Sequence, residues 1–314
     1  MKNFFKRYLY LSLFLTVVLI VAVWFFLVAK GEYGVTLFFT IPVSIGFIIG
    51  YVKYFKNIGL INVLKTILKI VLGLVIFSLI LIGAGVEGAI CIIMAIPFIG
   101  FAMFVGFNIG FIIGVFDEKR HTGSVIVFIL FINPASYIFD TYTKPIEETI
   151  TTEMIVNSSN EKVWKLLNTQ INFNTPDFIL FEKGVSYPKN IKLVNENGKL
   201  GYSCQTNNDD LHLSINEFIE NKKVKFSLEN QTVPMKEVTP YKDIDAKHLH
   251  DYFIVKYGEI TLEKLSENRT KIIAKTKYSY KIAPTWYWKK WSGYIIDKMQ
   301  SHVLQSIKKQ SENE

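Results

Sequence analysis

The chain has 314 residues, half of them hydrophobic, and a formal net charge of +8 at pH 7. This length has room for about two domains. The charge does not indicate nucleic-acid binding, because arginine occurs only at positions 7, 120 and 269 and no basic stripe carries aromatic side chains for base stacking. Cys91 and Cys204 are too few for a disulfide framework or a thiolate metal site.

Apolar stretches fill the first 140 residues, where charged residues are sparse. The first stretch, Tyr8 to Ala29, follows Lys2, Lys6 and Arg7. As a helix that rises about 1.5 Å per residue, this stretch can cross a hydrocarbon core of about 30 Å. Further apolar stretches follow at once, so we interpret it as a retained first helix rather than a signal peptide. The sequence therefore predicts an all-α transmembrane bundle in residues 1–140, with spans at 8–29, 35–52, 64–85, 88–116 and 124–139.

The stretch at 124–139 determines on which side of the membrane the rest of the chain lies. It is short for a crossing and contains Asn133 and Pro134. We expect it to be a fifth span, because the unbroken apolar run from Val125 to Ile132 is costly to leave in water. If it is re-entrant or interfacial, the bundle has four spans.

Basic residues indicate the orientation of the bundle. Lysines and arginines cluster at the N-terminus and in the second and fourth loops, whereas the first and third loops hold only Lys30. The positive-inside rule places the N-terminus in the cytoplasm, and we expect a bacterial cell membrane. The C-terminal domain then lies outside the cytoplasm if there are five spans, and inside if there are four.

Small residues recur every four positions in the predicted fourth span, at Ala102, Gly106, Gly110 and Gly114. Such a face lets another helix approach closely, either within the chain or in a homo-oligomer. Ionisable residues are almost absent from the spans, which disfavours a transporter or channel and favours an anchor or sensor module.

The pattern changes to alternating apolar residues after a polar linker at 141–148, and residues 149–314 are predicted to form a separate domain. "TITTEMIVN" predicts a first strand. Ser158 and Glu161 form a capping box that predicts the start of a short helix.

Strand-like segments with turn residues follow this helix. Asn197 and Gly198 predict a hairpin turn, and Glu267 and Asn268 lie between the last two predicted strands. The segments predict one curved antiparallel sheet.

A long amphipathic helix is predicted after Pro284. Its apolar residues share one face, which we expect to lie on the concave side of the sheet and to leave a cavity that binds a small molecule. These residues are Trp288, Trp291, Ile295, Met299, Val303 and Ile307.

This order of elements resembles the helix-grip fold of the START/SRPBCC superfamily, which includes the polyketide cyclase/dehydrase and lipid-transport group. The resemblance rests on "MIVNSSNEKVWKLLN" at 154–168 and on the tryptophan-rich last helix. "GVSYP", "VPMKEVTP", "HLHDYF", "YGEITL" and "EGAICIIMAIPF" are similar to a membrane-attached subgroup. The resemblance implies an α+β domain with a hydrophobic pocket for lipid or polyketide-like ligands.

The candidate ligand-binding residues are Tyr187, Met235, His248, His250, Tyr278, Trp286, Tyr287 and Trp291. Glu217, His248 and His250 are the candidate acid or base residues if the domain is an enzyme. The histidine spacing does not predict a metal site, and no phosphate-binding or dinucleotide motif predicts a cofactor.

Three functions remain open from the sequence. The first is a membrane-anchored protein, held by the lipid bilayer, that binds a lipid or isoprenoid-like molecule without covalent chemistry. The second is an enzyme of the cyclase/hydratase type. The third is a membrane scaffold whose pocket is filled by side chains.

Overall fold

The computed structural model describes residues 2–52, 60–117, 122–196, 198–241, 249 and 252–313. The chain divides into two compact units. The helical unit comprises Met1–Lys144, Thr239–His248 and Ile282–Tyr287, and the sheet unit comprises Pro145–Val238, Leu249–Lys281 and Trp288–Glu314.

The helical unit is built from apolar helices: α1 (Lys2–Lys30), a π-helical turn (Thr36–Thr40) that leads into α2 (Ile41–Val52), α3 (Leu60–Gly83), α4 (Ala89–Phe116) and α5 (Thr122–Thr141). Within the described ranges, three stretches are long and apolar enough to cross a membrane, namely Leu64–Gly83, Ala89–Phe116 and Gly123–Thr141. Phe14–Lys30 and Thr36–Val52 are shorter apolar helices.

Glycines bring α2 and α4 into backbone contact. A Cβ atom on Gly106 would lie 2.0 Å from the carbonyl oxygen of Val43, and one on Gly110 would lie 2.1 Å from that of Phe47. The contact is two-sided, because a Cβ on Gly46 of α2 would lie 2.0 Å from the carbonyl oxygen of Met103. The small-residue face of α4 therefore packs against a helix of the same chain, and the homo-oligomer stays a prediction.

Polar side chains join α5 to the π-helical turn. The two carboxylate oxygens of Asp140 accept hydrogen bonds from the backbone N–H groups of Val35 and Thr36, each at 2.8 Å. One turn earlier, the Ser136 hydroxyl lies 2.9 Å from the Thr40 hydroxyl. Such bonds supply partners for polar groups in apolar surroundings, so α5 is a packed member of the helical unit.

In the sheet unit, eight strands formed by described residues make one antiparallel sheet in the order β1-β8-β7-β6-β5-β4-β3-β2. The strands are β1 (Ile146–Val156), β2 (Gln170–Asn172), β3 (Pro188–Glu196), β4 (Lys199–Thr206), β5 (Asp210–Ile219), β6 (Lys223–Leu228), β7 (Phe253–Ser266) and β8 (Arg269–Tyr280). The helices are α6 (Asn160–Leu167), α7 (Ile179–Glu182) and α8 (Thr285–Asn313).

The core of this unit lies between one face of the sheet, α6 and α8. Val156 of β1, Ile272 of β8, and Leu304 and Ile307 of α8 are fully buried in one apolar cluster with Trp164 of α6. An antiparallel sheet that holds a long C-terminal helix in its core fits a helix-grip domain, as the sequence predicted.

The predicted turns and strand boundaries can be compared with the observed ones. β3 and β4 pair as a hairpin with Glu196 opposite Lys199, although Asn197 itself lies outside the described residues. The turn between β7 and β8 holds Glu267 and Asn268 as predicted. β1 begins at Ile146, before the predicted start at residue 149, because it pairs with β8 as far as Tyr280.

The predicted capping box is wrong by one residue. Ser159, not Ser158, is the N-cap of α6, and its hydroxyl accepts a hydrogen bond from the backbone N–H of Lys162 at 3.3 Å. Ser158 is instead buried, and its carbonyl accepts a 2.8 Å hydrogen bond from the Thr270 hydroxyl. The capping-box pattern selected Ser158 because Glu161 lies three residues after it, whereas the observed N-cap Ser159 has Lys162 at that position.

Candidate functional site

The last helix follows β1 along one flank. The Lys289 ammonium lies 2.7 Å from the Glu148 carboxylate, and Asp297 accepts a 2.6 Å hydrogen bond from the Thr152 hydroxyl. Between them, a Cβ on Gly293 would lie 3.3 Å from Ile150. Successive contacts are four residues apart along α8 and two residues apart along β1. These steps have similar lengths, since four helical residues rise about 6 Å and two strand residues extend about 6.6 Å.

Gln300 is the buried polar residue on this flank, with 5% of its surface exposed. Its amide nitrogen donates to the Thr276 hydroxyl at 2.9 Å, and its amide oxygen lies 2.7 Å from the Thr152 hydroxyl, whose one hydrogen it shares with Asp297. These bonds join α8 to β1 and β8. A buried amide that is bonded in this way fixes the register of the helix, because each alternative leaves polar groups unpaired.

Tyrosines continue the buried surface beyond Gln300. Tyr278 is fully buried, its hydroxyl lies 2.9 Å from that of Ser292, and its ring lies 5.1 Å from Phe253 and 5.8 Å from Tyr280. Burial raises the pKa of Tyr278, and it raises that of Tyr280 to about 12. Both phenols are therefore neutral at physiological pH and act as hydrogen-bonding groups.

The other flank of α8 meets the segment that joins β2 to β3. Neighbouring ring centroids lie 4.9–6.2 Å apart along a continuous aromatic row. In order, this aromatic row is Tyr294, Phe178, Phe181, Tyr187, His302 and Phe173. Tyr294 and His302 come from α8, and the others from residues 173–187, so the helix is held from a second side.

His302 is the polar member of the aromatic row. It is 8% exposed, and its Nε2 atom has no hydrogen-bond partner in the part of the chain that the structure describes. The Tyr187 ring stands perpendicular to the imidazole at 6.2 Å, and Phe173 lies at 6.1 Å. Burial lowers the pKa of His302, which keeps the imidazole neutral.

The helix face between these two flanks is apolar and only partly buried. At about 100° per residue, Ile295 and Met299 lie between the Gln300 flank and the His302 flank, and both are of intermediate exposure, as is Trp291. The predicted apolar stripe is therefore only partly buried: its end residues Trp288 and Ile307 are buried, and its middle residues are of intermediate exposure. The buried positions are Trp288, Ile296, Gln300, His302, Leu304, Ser306, Ile307 and Ser311.

Apolar residues on the inner face of the sheet are also only partly buried. They pack against the core cluster and line several strands: Ile191, Leu193, Leu211, Ile215, Phe226, Leu228 and Ile260. Partly accessible apolar side chains on both the helix and the sheet are typical of a ligand-binding cleft, which is lined mainly by hydrophobic residues with a few placed polar groups.

Four of the predicted ligand-binding residues lie in the sheet unit. Tyr187 belongs to the aromatic row. Met235 pairs in an isolated β-bridge with Val185, which lies two residues before Tyr187 in the chain. Tyr278 belongs to the buried tyrosines, and Trp291 to the partly buried face of α8.

The other predicted ligand-binding residues are placed differently. Trp286 and Tyr287 belong to the helical unit, where their rings contact Phe98 at 5.5 and 4.9 Å and the Tyr287 hydroxyl donates to the carbonyl of Met94. His248 and His250 lie outside the described residues.

Glu217, the predicted acid or base carboxylate, and Glu259 of the neighbouring part of the sheet both lie in ion pairs. Glu217 is opposite Lys225 in the sheet, its side chain is 40% exposed, and it lies 2.8 Å from the Lys223 ammonium. Glu259 lies 3.7 Å from Lys223 and 3.8 Å from Lys275. Among the described residues, no group of three His, Cys, Asp or Glu side chains is arranged to hold a metal ion.

Neither Gln300 nor His302 is among the candidate residues that the sequence predicted. A binary apolar pattern passes over polar residues on a helix. The usable signal was their position, since each lies next to or within the predicted apolar stripe, where a polar residue must find a partner.

Comparison with known proteins gives structural matches alone. No family model and no curated protein matches the chain. It is similar to the protein XoxI from Bacillus cereus, at 15% identity over 52% of this chain and 94% of that chain, with a TM-score of 0.33. Truncated norcoclaurine synthase from Thalictrum flavum matches at 13% identity over 53% and 94%, with a TM-score of 0.31. A Helicobacter pylori protein matches at 17% identity over 52% and 88%, with a TM-score of 0.31.

Proposed function

We propose that the chain is a membrane-anchored protein whose helix-grip domain binds a hydrophobic small molecule, such as a lipid or an isoprenoid-like compound. The observation that carries this proposal is the apolar face in the middle of α8, where Trp291, Ile295 and Met299 are only partly buried. A face of this kind gains free energy when a ligand removes it from water, by about 25 cal/mol per Å² of apolar area.

Exposed apolar side chains on the helical unit support the membrane anchor. Leu68 of α3 is 67% exposed and Phe131 of α5 is 73% exposed. Leu64, Leu72 and Leu79 of α3 are also exposed. Contact of such surfaces with lipid tails has no free-energy cost, whereas their contact with water is unfavourable.

The proposed orientation places the C-terminal domain outside the cytoplasm. With α5 as a fifth span, the loops that hold Tyr33 and Glu87 lie at the end opposite to the basic clusters. In the helical unit, the Tyr33 hydroxyl donates to Glu87, and the Tyr33 carbonyl accepts a 3.0 Å hydrogen bond from Ala283. A C-terminal alkaline phosphatase fusion tests this, because the enzyme is active only outside the cytoplasm; an inactive, stable fusion would overturn the orientation.

Native mass spectrometry of the detergent-purified protein tests ligand binding. We expect an apolar molecule, distinct from bulk lipid, to leave the micelle with the protein. The Met299→Trp variant should retain less of it, because the indole fills the partly accessible face. Gln305→Trp places the same side chain at an exposed position of α8 and should retain the molecule. A wild-type protein without any such molecule would favour the scaffold function.

A further inference from the structure

We propose that His302 is the polar recognition point of the ligand site, so that the site selects an apolar molecule with an uncharged oxygen, a hydroxyl or a carbonyl, over the corresponding hydrocarbon. This inference rests on the proposed function. It starts from the Nε2 atom of His302, which is buried and has no hydrogen-bond partner among the described residues. Leaving a buried polar atom unpaired costs about 1–3 kcal/mol, so a partner at this atom is strongly favoured.

The surroundings of His302 determine the chemistry of that partner. The rings of Tyr187 and Phe173 lie beside the imidazole, and His302 itself is only 8% exposed. A neutral imidazole offers either an N–H donor or a nitrogen acceptor at Nε2, so it can donate to a carbonyl or accept from a hydroxyl. A carboxylate or phosphate would need a cationic partner in these apolar surroundings, and a neutral imidazole does not supply one.

The position of His302 on α8 links this polar point to the apolar face. His302 lies three residues after Met299, which is close to one helical turn, so the two side chains are neighbours along the helix surface. A molecule that lies along Trp291, Ile295 and Met299 therefore ends beside the imidazole. This arrangement, an apolar wall with one polar group at its end, suits a long-chain or isoprenoid alcohol or ketone.

The test compares farnesol with farnesane, the saturated hydrocarbon of the same skeleton. Displacement of the neutral fluorophore 1-aminoanthracene from the full-length protein in detergent gives both affinities, with protein-free micelles as the blank. We expect the wild type to bind farnesol more tightly than farnesane, by a factor on the order of ten, because one buried hydrogen bond is formed. Equal affinities would overturn the assignment of His302 while leaving the proposed function in place.

Variants assign the selectivity to the imidazole. His302→Phe should bind both probes with equal affinity, and His302→Gln should keep part of the preference, because its amide nitrogen takes a place similar to that of Nε2. His212→Phe makes the same change at an exposed site and should keep the wild-type ratio. A His302→Phe variant that folds and keeps the ratio would overturn the inference, and if it does not fold, the His302→Gln ratio and the wild-type ratio decide. A wild type that binds neither probe would overturn the proposed function for this ligand class.

Discussion

The contact of α2 with α4 and the contact of α8 with the sheet are built in opposite ways. The first brings backbones together, with glycines at Gly46, Gly106 and Gly110 that leave no room for a side chain. The second keeps backbones apart and fills the space with large side chains and the buried amide of Gln300. Under the proposed membrane anchor, the helical unit gains little from burying apolar area in lipid, so close backbone packing stabilises it, whereas the sheet unit relies on apolar burial.

The sharpest way to break this comparison is to place a side chain between α2 and α4. Gly106→Leu would put its Cβ 2.0 Å from the Val43 carbonyl oxygen, and a backbone carbonyl cannot move aside. We expect a loss of more than about 3 kcal/mol, or failure to fold, because overpacking of a rigid contact is costly. Size-exclusion chromatography of heated, detergent-solubilised protein measures the effect.

Gly73→Leu is the matched control for this change. Gly73 lies in α3, and a Cβ there would meet nothing within 4 Å. This variant should behave like the wild type. If the two variants melt together, the close contact of α2 with α4 is not what holds the helical unit.

The second test removes a large side chain from the sheet unit. Leu304→Ala should destabilise it by about 3 kcal/mol, within the range of 2–5 for a buried leucine, because Leu304 is 0% exposed. For a unit of this size, that corresponds to a melting temperature lower by about 6–12 °C. Near-UV circular dichroism of the tryptophans can follow the transition. Leu200→Ala makes the same change at a 41% exposed position and should shift it little; an equal shift would contradict the core described above.

The third test sharpens the role of the buried amide. Gln300→Leu keeps the size of the side chain but removes the amide that donates to the Thr276 hydroxyl and lies beside the Thr152 hydroxyl, which keeps Asp297 as a partner. We expect a loss of about 1–3 kcal/mol in the free energy of unfolding, measured by the same thermal transition. Gln305→Leu, at an exposed position on the same helix, is the control. A Gln300→Leu protein as stable as this control would show that apolar packing alone positions α8.

The two contacts also differ in how far the sequence predicts them. The four-residue spacing of small residues in α4 predicted close packing, and the partner helix carried its own signal in Gly46 and Gly50, four residues apart. The long strands and the Glu267–Asn268 turn followed from alternation and turn residues. β2 and α7 have three and four residues, too few to leave a periodic pattern.

The site was less predictable because it depends on contacts between distant segments. Tyr187 and His302 are more than one hundred residues apart, and their meeting depends on how the β2–β3 connection lies against α8. The apolar stripe of α8 was predicted, but which of its positions are buried was not. The buried positions include Gln300 and His302, which an apolar pattern does not select. The π-helical turn at Thr36–Thr40 likewise has no signature in the apolar pattern.

The smallest effect is expected from pH, and it probes the aromatic row, where the sheet unit buries a titratable group. The pKa of His302 is lowered by burial in the folded state and is ordinary, about 6.5, in the unfolded state. Above about pH 6.5 the contribution of His302 to stability is complete. Below that pH the unfolded state binds more protons, and the contribution is lost as the pH falls through the folded pKa.

This window is separate from that of the carboxylates. The pKa values of Glu147 and Glu161 are lowered from 4.5, by the Lys277 ammonium and by hydrogen bonds at the start of α6, so their contributions are lost only at more acidic pH. Between pH 7.5 and 5.5, the wild-type melting temperature should fall more than that of His302→Phe, which has no group to protonate there. Parallel decreases in both proteins would mean that the imidazole is already solvated in the folded state, which would contradict the burial of His302 within the aromatic row.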